Sequence, residues 1–97
     1  MRQKIDKRVP RYGDLIAPTF KALKELGGSG NNDEILTQLI ELLALTDEVV
    51  DIAHKGRESL TELAYQAAWA RTYLRSYGII ENASRSVWAI TSRYAKA

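Results

Sequence analysis

The sequence predicts one mainly α-helical domain that ends in a small β-hairpin, and three observations lead to this prediction. Three stretches carry apolar residues at helical spacing, with capping or helix-stopping residues at their ends. The third stretch stops at Gly78, and two short apolar runs follow it across a polar link that contains Arg85. This order of helix, tight stop, strand, basic loop and strand is typical of a winged helix-turn-helix.

Composition limits the classes of protein that fit. A chain of 97 residues, 45% of them apolar and with two Trp and five Tyr, is a single folded domain rather than a disordered segment. No apolar run is long enough to span a bilayer, and the charged start MRQKIDKR lacks the apolar centre of a secretory signal. With no cysteine there is no disulfide. We expect a cytoplasmic protein without a membrane segment.

Charge is distributed unevenly, although the formal net charge is only +2. Residues 1 to 11 carry five basic and one acidic side chain (net +4), residues 12 to 62 carry four and ten (net −6), and residues 63 to 97 carry five and one (net +4). We interpret residues 1 to 11 as a basic N-terminal arm and residues 12 to 97 as the domain. The two basic ends either form one basic face or cluster by chance on a solvated surface.

The first helix is predicted over residues 13 to 26. Its apolar residues recur at near-helical spacing and end before Gly27-Gly28: Leu15, Ile16, Phe20, Leu23 and Leu26. Pro18 is expected in or near the first turn, because deeper in a helix it removes a backbone hydrogen bond. The glycine-rich run after the helix is a connector rather than a phosphate-binding loop, since no Gly-Lys-Ser/Thr follows it.

The second helix begins at a capping box formed by Asn31 and Glu34. It buries the apolar residues Ile35, Leu36, Leu39, Ile40 and Leu43. The segment from Thr46 to Leu60 is predicted to hold a short extra helix, followed by a polar loop at residues 54 to 57 in which His54 is solvated.

The third helix begins at Thr61 and Glu62 and ends at Gly78, an αL cap. Its predicted core stripe is Leu63, Ala67, Ala70, Leu74 and Tyr77, and its opposite face is Tyr65, Ala68, Trp69, Thr72, Arg75 and Ser76. Trp69 and Tyr73 are expected to be buried against the first helix or the hairpin. Strands are predicted at Ile79-Ile80 and at residues 87 to 90, with residues 82 to 86 as the tip that presents Arg85.

Specific residues also resemble a known family. The run WARTYLRSYGIIENASRSVWAIT, with VPRYGDLIAPTFKAL near the start, is similar to the N-terminal winged-helix domain of Mrr-type restriction endonucleases. The family's helix usually ends W-A-x-x-x-L-x-x-x-G, matched here by Trp69, Ala70, Leu74 and Gly78. Its wing is usually Arg-Gly followed by an aromatic residue and Leu/Ile-Thr, matched here by Arg85, Trp88, Ile90 and Thr91.

The resemblance implies a DNA-binding domain that delivers modified, typically methylated, DNA to a separate nuclease domain of the PD-(D/E)xK kind, which is not in this chain. The sequence departs from the family pattern at four places, one of which is that the usual Gly shortly after Thr91 is missing. Gln66 and Ala67 stand where relatives often have Asn-Arg, Ser86 replaces the wing glycine, and residues 46 to 60 lengthen the turn between the two helices.

The chain alone is predicted not to be an enzyme. A PD-(D/E)xK centre needs an acidic residue or Gln two positions before a Lys, and none of the six lysines has one. His54, the only histidine, has no partner set that resembles a zinc site or a nucleophile triad. No cofactor or metal is expected.

We therefore predict that the domain binds double-stranded DNA. The phosphate contacts are assigned to Arg71, Arg75, Arg85 and Arg93, while Thr72 and Ser76 are available to base edges or backbone. Four phosphate contacts at about 0.9 each predict a log–log salt slope of about −3.6. The alternative is a winged-helix module for protein interaction or homodimerisation that does not bind DNA.

Overall fold

Residues 8–97, which the computed structural model describes except for the side chain of Glu58, form four α-helices and five short β-strands. The helices are α1 (Tyr12–Glu25), α2 (Asn32–Leu42), α3 (Asp47–Val50) and α4 (Glu62–Ser76), and a 3₁₀ turn follows at Ser92–Tyr94. The strands are β1 (Ser29–Asn31), β2 (Ala53–His54), β3 (Arg57–Thr61), β4 (Ile80–Ser84) and β5 (Val87–Ile90). No helix within residues 8–97 is long and apolar enough to cross a membrane.

The core lies where α1, α2 and α4 meet, and the predicted helices are confirmed with boundaries shifted by about one residue. Its buried side chains are Leu15, Ala22, Leu23, Ile35, Leu39, Leu63, Ala67, Ala70, Leu74 and Ile80. Val9 also belongs to this core and is 2% exposed. The greater part of the predicted basic arm, residues 1–7, lies outside the described residues.

Pro18 lies in the middle of α1, so its predicted place in or near the first turn is wrong. The helix begins at Tyr12 because the Asp14 carboxylate accepts a hydrogen bond from the backbone N–H of Arg11 at 3.2 Å. At Pro18 the helix therefore lacks one interior hydrogen bond. Burial of Leu15 and Leu23 on the same helix offsets that loss.

The three long helices end in the same backbone motif. After α4, the Ile79 N–H donates to the Leu74 carbonyl and the Gly78 N–H donates to the Arg75 carbonyl, both at 3.0 Å. Gly78 has φ +71°, which confirms the predicted αL cap and completes a Schellman motif. At the equivalent position α1 has Gly27 (φ +91°) and α2 has Ala44 (φ +50°).

The main sheet has the order β1-β5-β4, and both neighbours of β5 run antiparallel to it. The predicted hairpin is confirmed, but its tip is shorter than expected, because Asn82 to Ser84 belong to β4 and only Arg85 and Ser86 form the turn. Strand β1 was not predicted. It pairs Gly30 with Trp88 and so places the hairpin beside the start of α2.

Two side chains fix the hairpin to the helices. The Thr91 hydroxyl donates to the carbonyl of Gly78 at 2.8 Å, at the point where α4 ends. The indole N–H of Trp88 donates to the side-chain carbonyl of Asn32 at 2.8 Å, at the first residue of α2. The orientation of the hairpin is therefore set by one contact at the end of α4 and one at the start of α2.

The segment between α2 and α4 contains α3 and the hairpin β2–β3. The short helix is confirmed, with Thr46 as its N-cap residue. The polar loop predicted at residues 54 to 57 is confirmed only at its centre, because Lys55 and Gly56 form the turn while His54 ends β2 and Arg57 begins β3. His54 is not solvated: its side chain is 19% exposed, and its ring stacks on Tyr65 with 3.9 Å between centroids.

A chain of hydrogen bonds joins this hairpin to α4 and α1. His54 Nδ1 lies 2.6 Å from Glu62 Oε1, and the Gln66 side-chain amide donates to Glu62 Oε2 at 2.6 Å. The Gln66 carbonyl oxygen then accepts the backbone N–H of Tyr12 at 2.9 Å, in the first turn of α1. The β2–β3 hairpin, α4 and α1 thus share one partly buried polar network.

This network shifts the titration of Glu62. Burial by itself raises the pKa of the carboxyl group, but the hydrogen bonds from Gln66 and His54 outweigh burial and hold the pKa below its ordinary value of 4.5. Because the folded state lowers this pKa, ionised Glu62 stabilises the protein above pH 4.5, and that stabilisation is lost as the pH falls through the lowered value.

Replacing Glu62 by Gln tests the network. We expect the variant to lose about 1 kcal/mol of unfolding free energy at pH 7, because it removes a charge-assisted hydrogen bond. Its stability should also fall less than that of the parent between pH 5 and the acid range, as followed by urea denaturation at several pH values. Glu41→Gln, at an exposed position of α2, is the control. Identical acid profiles for parent and Glu62→Gln would contradict the assignment.

The same substitution at two glycines should have opposite effects on stability. A Cβ at Gly78 would meet no atom within 4 Å, so Gly78→Ala loses about 1 kcal/mol of unfolding free energy through its positive φ alone. Gly13 lies inside α1, and a Cβ there also meets nothing within 4 Å, so Gly13→Ala gains about 0.5 kcal/mol. Thermal denaturation of both variants measures the difference, and a stabilising Gly78→Ala would refute the αL cap.

Candidate functional site

Aromatic side chains occupy every fourth position along the outer face of α4 and at its C-terminal end. We term this set, Tyr65, Trp69, Tyr73 and Tyr77, the aromatic ladder. Tyr65 is half-buried, whereas Trp69 is 51%, Tyr73 39% and Tyr77 64% exposed. Edge-to-face contact joins the rings of Tyr65 and Trp69 (centroids 6.4 Å apart), and Tyr73 lies against Tyr77 (4.8 Å). Hydrogen bonding with Tyr77 raises the pKa of Tyr73.

Three predictions about these rings are therefore wrong. Trp69 and Tyr73 are exposed rather than buried, because a helix buries one stripe and the buried stripe of α4 is already filled on its other side. Tyr77 does not continue the core stripe after Leu74. It is the C-cap residue, where the chain leaves the helical path.

A groove of about 510 Å³ lies between this face of α4 and the start of α1. Its lining residues are Arg11, Tyr12, Tyr65, Gln66, Trp69, Thr72, Tyr73 and Ser76. Arg11 is the only charged side chain among them, and all eight are described residues. The groove is thus aromatic and carries positive rather than negative charge.

The predicted contact residues on α4 divide into two groups. Thr72, Arg75 and Ser76 are exposed on the outer face, as the helical spacing predicted. The Thr72 hydroxyl donates to the Ala68 carbonyl (3.0 Å) and the Ser76 hydroxyl to the Tyr73 carbonyl (2.7 Å). Both hydroxyl oxygens therefore remain available as acceptors.

Arg71, to which a phosphate contact was assigned, lies on the core side of α4. The residue is only 9% exposed, and within residues 8–97 its Nε atom has no hydrogen-bond partner. Burial lowers the pKa of its guanidinium group. The reason lies in the helical repeat, because Arg71 follows Ala67 by four residues and precedes Leu74 by three, which places it on the core side.

Two further predicted arginines lie outside α4. Arg85 is exposed in the two-residue turn of the β4–β5 hairpin, next to Ser86, which adopts φ +64°. Arg93 is exposed in the 3₁₀ turn after β5, with its guanidinium group 6.0 Å from the centroid of the Tyr94 ring. The left-handed backbone at Ser86 favours glycine, which gives a physical reason for the glycine usual at this position of the resembled wing.

Sequence reasoning missed three residues of the groove. Arg11 was assigned to the arm, Tyr12 lay just before the predicted first helix, and Gln66 was noted only as a departure from the family pattern. The repeat of Tyr or Trp at every fourth position was a readable signal for one continuous helix face. Nothing in the sequence indicated that the start of α1 lies beside this face of α4. No group of His, Cys, Asp and Glu that could hold a metal ion occurs in the described part of the chain.

Comparison with known proteins identifies a family. No curated protein and no solved structure matches the chain. The family model of the Mrr N-terminal domain matches residues 12–97, which is nearly the whole chain. The exposed face of α4 and the hairpin described above lie within this match, and the chain belongs to the Mrr N-terminal domain family.

Proposed function

We propose that this domain binds double-stranded DNA as a winged helix-turn-helix, in which α4 is the recognition helix and the β4–β5 hairpin is the wing. The observation that carries the proposal is the family match over residues 12–97, since Mrr-type domains belong to restriction systems that act on DNA. The element order supports it: α4 runs through its Gly78 cap directly into a hairpin whose turn presents Arg85.

We assign the DNA contacts to predicted contact residues whose side chains are exposed to solvent. Arg75, Arg85 and Arg93 are exposed cations that can neutralise phosphates, whereas Arg71 is withdrawn from this role by its burial. Thr72 and Ser76 keep acceptor oxygens for base edges or for water. Three phosphate contacts at about 0.9 each give a log–log salt slope of about −2.7, shallower than the four-arginine expectation.

The family also suggests the biological setting. On this proposal the domain has no catalytic activity of its own and holds modified, typically methylated, DNA for a nuclease domain outside this chain. The family resemblance supplies this context, and the charge of the α4 face and the wing is compatible with it.

A second candidate function is protein interaction, and the exposed aromatic ladder specifically favours it. Trp69, Tyr73 and Tyr77 leave a large aromatic surface open to solvent, and Tyr and Trp are enriched at the centres of protein interfaces. A homodimer formed through this face would exclude DNA from α4. Self-association through this face and DNA binding would therefore compete for the same surface of α4.

The duplex-binding proposal is tested by fluorescence anisotropy with a labelled, fully paired duplex at several salt concentrations. The double variant Arg75→Glu, Arg85→Glu should lose at least tenfold in affinity, because two phosphate contacts become repulsive. Lys21→Glu, Lys55→Glu makes the same change in net charge at exposed positions outside α4 and the wing, and should bind nearly as well as the parent. A parent that shows no binding at low salt but dimerises in light scattering would contradict the proposal and favour the protein-interaction function.

A further inference from the structure

We infer that the aromatic groove on α4 receives one unstacked base of the bound DNA, which stacks on the exposed rings of Trp69 and Tyr73. This inference rests on the proposed function and names the form of DNA that the site prefers. It goes beyond phosphate contacts, because it assigns a ligand to side chains that an ordinary recognition helix does not need.

The first support is the gap in the aromatic ladder. Ring contacts join Tyr65 to Trp69 and Tyr73 to Tyr77, but among the described residues none joins Trp69 to Tyr73. Both rings line the groove and both are exposed. Ring surface of both residues is therefore open to a planar ligand in the groove.

The second support is the rigidity of the groove at its N-terminal end. Tyr65 is held by the stacked ring of His54, and His54 is held by Glu62 at 2.6 Å. Gln66 connects the same network to the backbone of Tyr12, which is another lining residue. This end of the groove is therefore preorganised, so less conformational entropy is lost when a planar ligand enters it.

The third support is charge. An aromatic cage for a cationic ligand needs carboxylates, and none lines this groove, whereas Arg11 does. The volume of about 510 Å³ falls within the range of about 300–1,000 Å³ that is usual for small-ligand sites. An aromatic surface beside a cation is the combination that proteins use to stack nucleobases next to their phosphates.

A paired duplex hides the faces of its bases, so the groove can be filled only when one base leaves the stack. That step costs a few kcal/mol for a normal pair and least for a mismatched or unpaired base. Stacking on an aromatic side chain contributes about 1–3 kcal/mol per base. The groove should therefore favour DNA that contains a mismatched or unpaired base.

The test compares two duplexes of the same length that differ at one central base, so that one is fully paired and the other carries a central mismatch. For the parent, the mismatched duplex should bind about tenfold more tightly, since 1.4 kcal/mol corresponds to a factor of ten. The ratio of the two dissociation constants is the readout, because it cancels differences in folding and active concentration between variants.

Two variants at one position make the test specific. Trp69→Phe keeps an aromatic face and should keep most of the preference for the mismatched duplex. Trp69→Leu keeps an apolar side chain without a ring and should bring the ratio close to one. Tyr94→Phe, at an aromatic residue outside the groove, should leave the ratio unchanged.

The outcomes separate this inference from the proposed function. If the parent binds the paired duplex through Arg75 and Arg85 but shows no mismatch preference, the inference is overturned and the function stands. If Trp69→Leu and Trp69→Phe show equal ratios, the inference is likewise overturned. A parent that binds neither duplex and forms a dimer that Trp69→Leu disrupts would overturn both and assign the groove to a second copy of the chain.

Discussion

The arrangement of the outer face depends on the turn that ends α4. Gly78 takes a left-handed backbone conformation, two hydrogen bonds to the last turn of the helix close the Schellman motif, and the Thr91 hydroxyl holds the carbonyl of Gly78. This cap directs the chain from α4 immediately into β4, so the Arg85 turn is fixed to the same rigid unit as the helix. The hydrogen bond from Trp88 to Asn32 and the pairing of β5 with β1 fix the other side of the hairpin.

The two faces of helix α4 have different structural roles. Leu63, Ala67, Ala70 and Leu74 build the core, and the aliphatic stem of Arg71 accompanies them on that side. The opposite face carries the aromatic ladder, which the segment between α2 and α4 supports through His54 and Glu62. The long connection is therefore more than an extended turn, since its hairpin contributes the ring that packs on Tyr65.

Much of the fold could be predicted from the sequence, because helical spacing and capping residues are local signals. The boundaries of α1, α2 and α4 and the pairing of β4 with β5 follow from such signals. Strand β1 could not be predicted in this way. Ser29, Gly30 and Asn31 have no strand preference of their own, and they become a strand because β5 offers them an unpaired edge.

The candidate site could be predicted less well from the sequence, and each wrong prediction has a physical cause. The general tendency of Trp to be buried was given more weight than the helical repeat, which placed Trp69 opposite Leu63 and so outside the core. Arg71 was judged by its charge, although the same repeat placed it beside Ala67 and Leu74. The contact of Gln66 with Tyr12 is a tertiary contact between residues 54 positions apart, and no local pattern indicates it.

The central claim is that the outer face of α4 and the hairpin turn together form one DNA-binding surface. The most direct test is an NMR titration of the ¹⁵N-labelled domain with duplex DNA, following each backbone amide. The account predicts shifts at Trp69, Thr72, Arg75, Ser76 and Arg85, with α2 and α3 unaffected. Shifts confined to elements other than α4 and the hairpin, or no shifts at low salt, would contradict it.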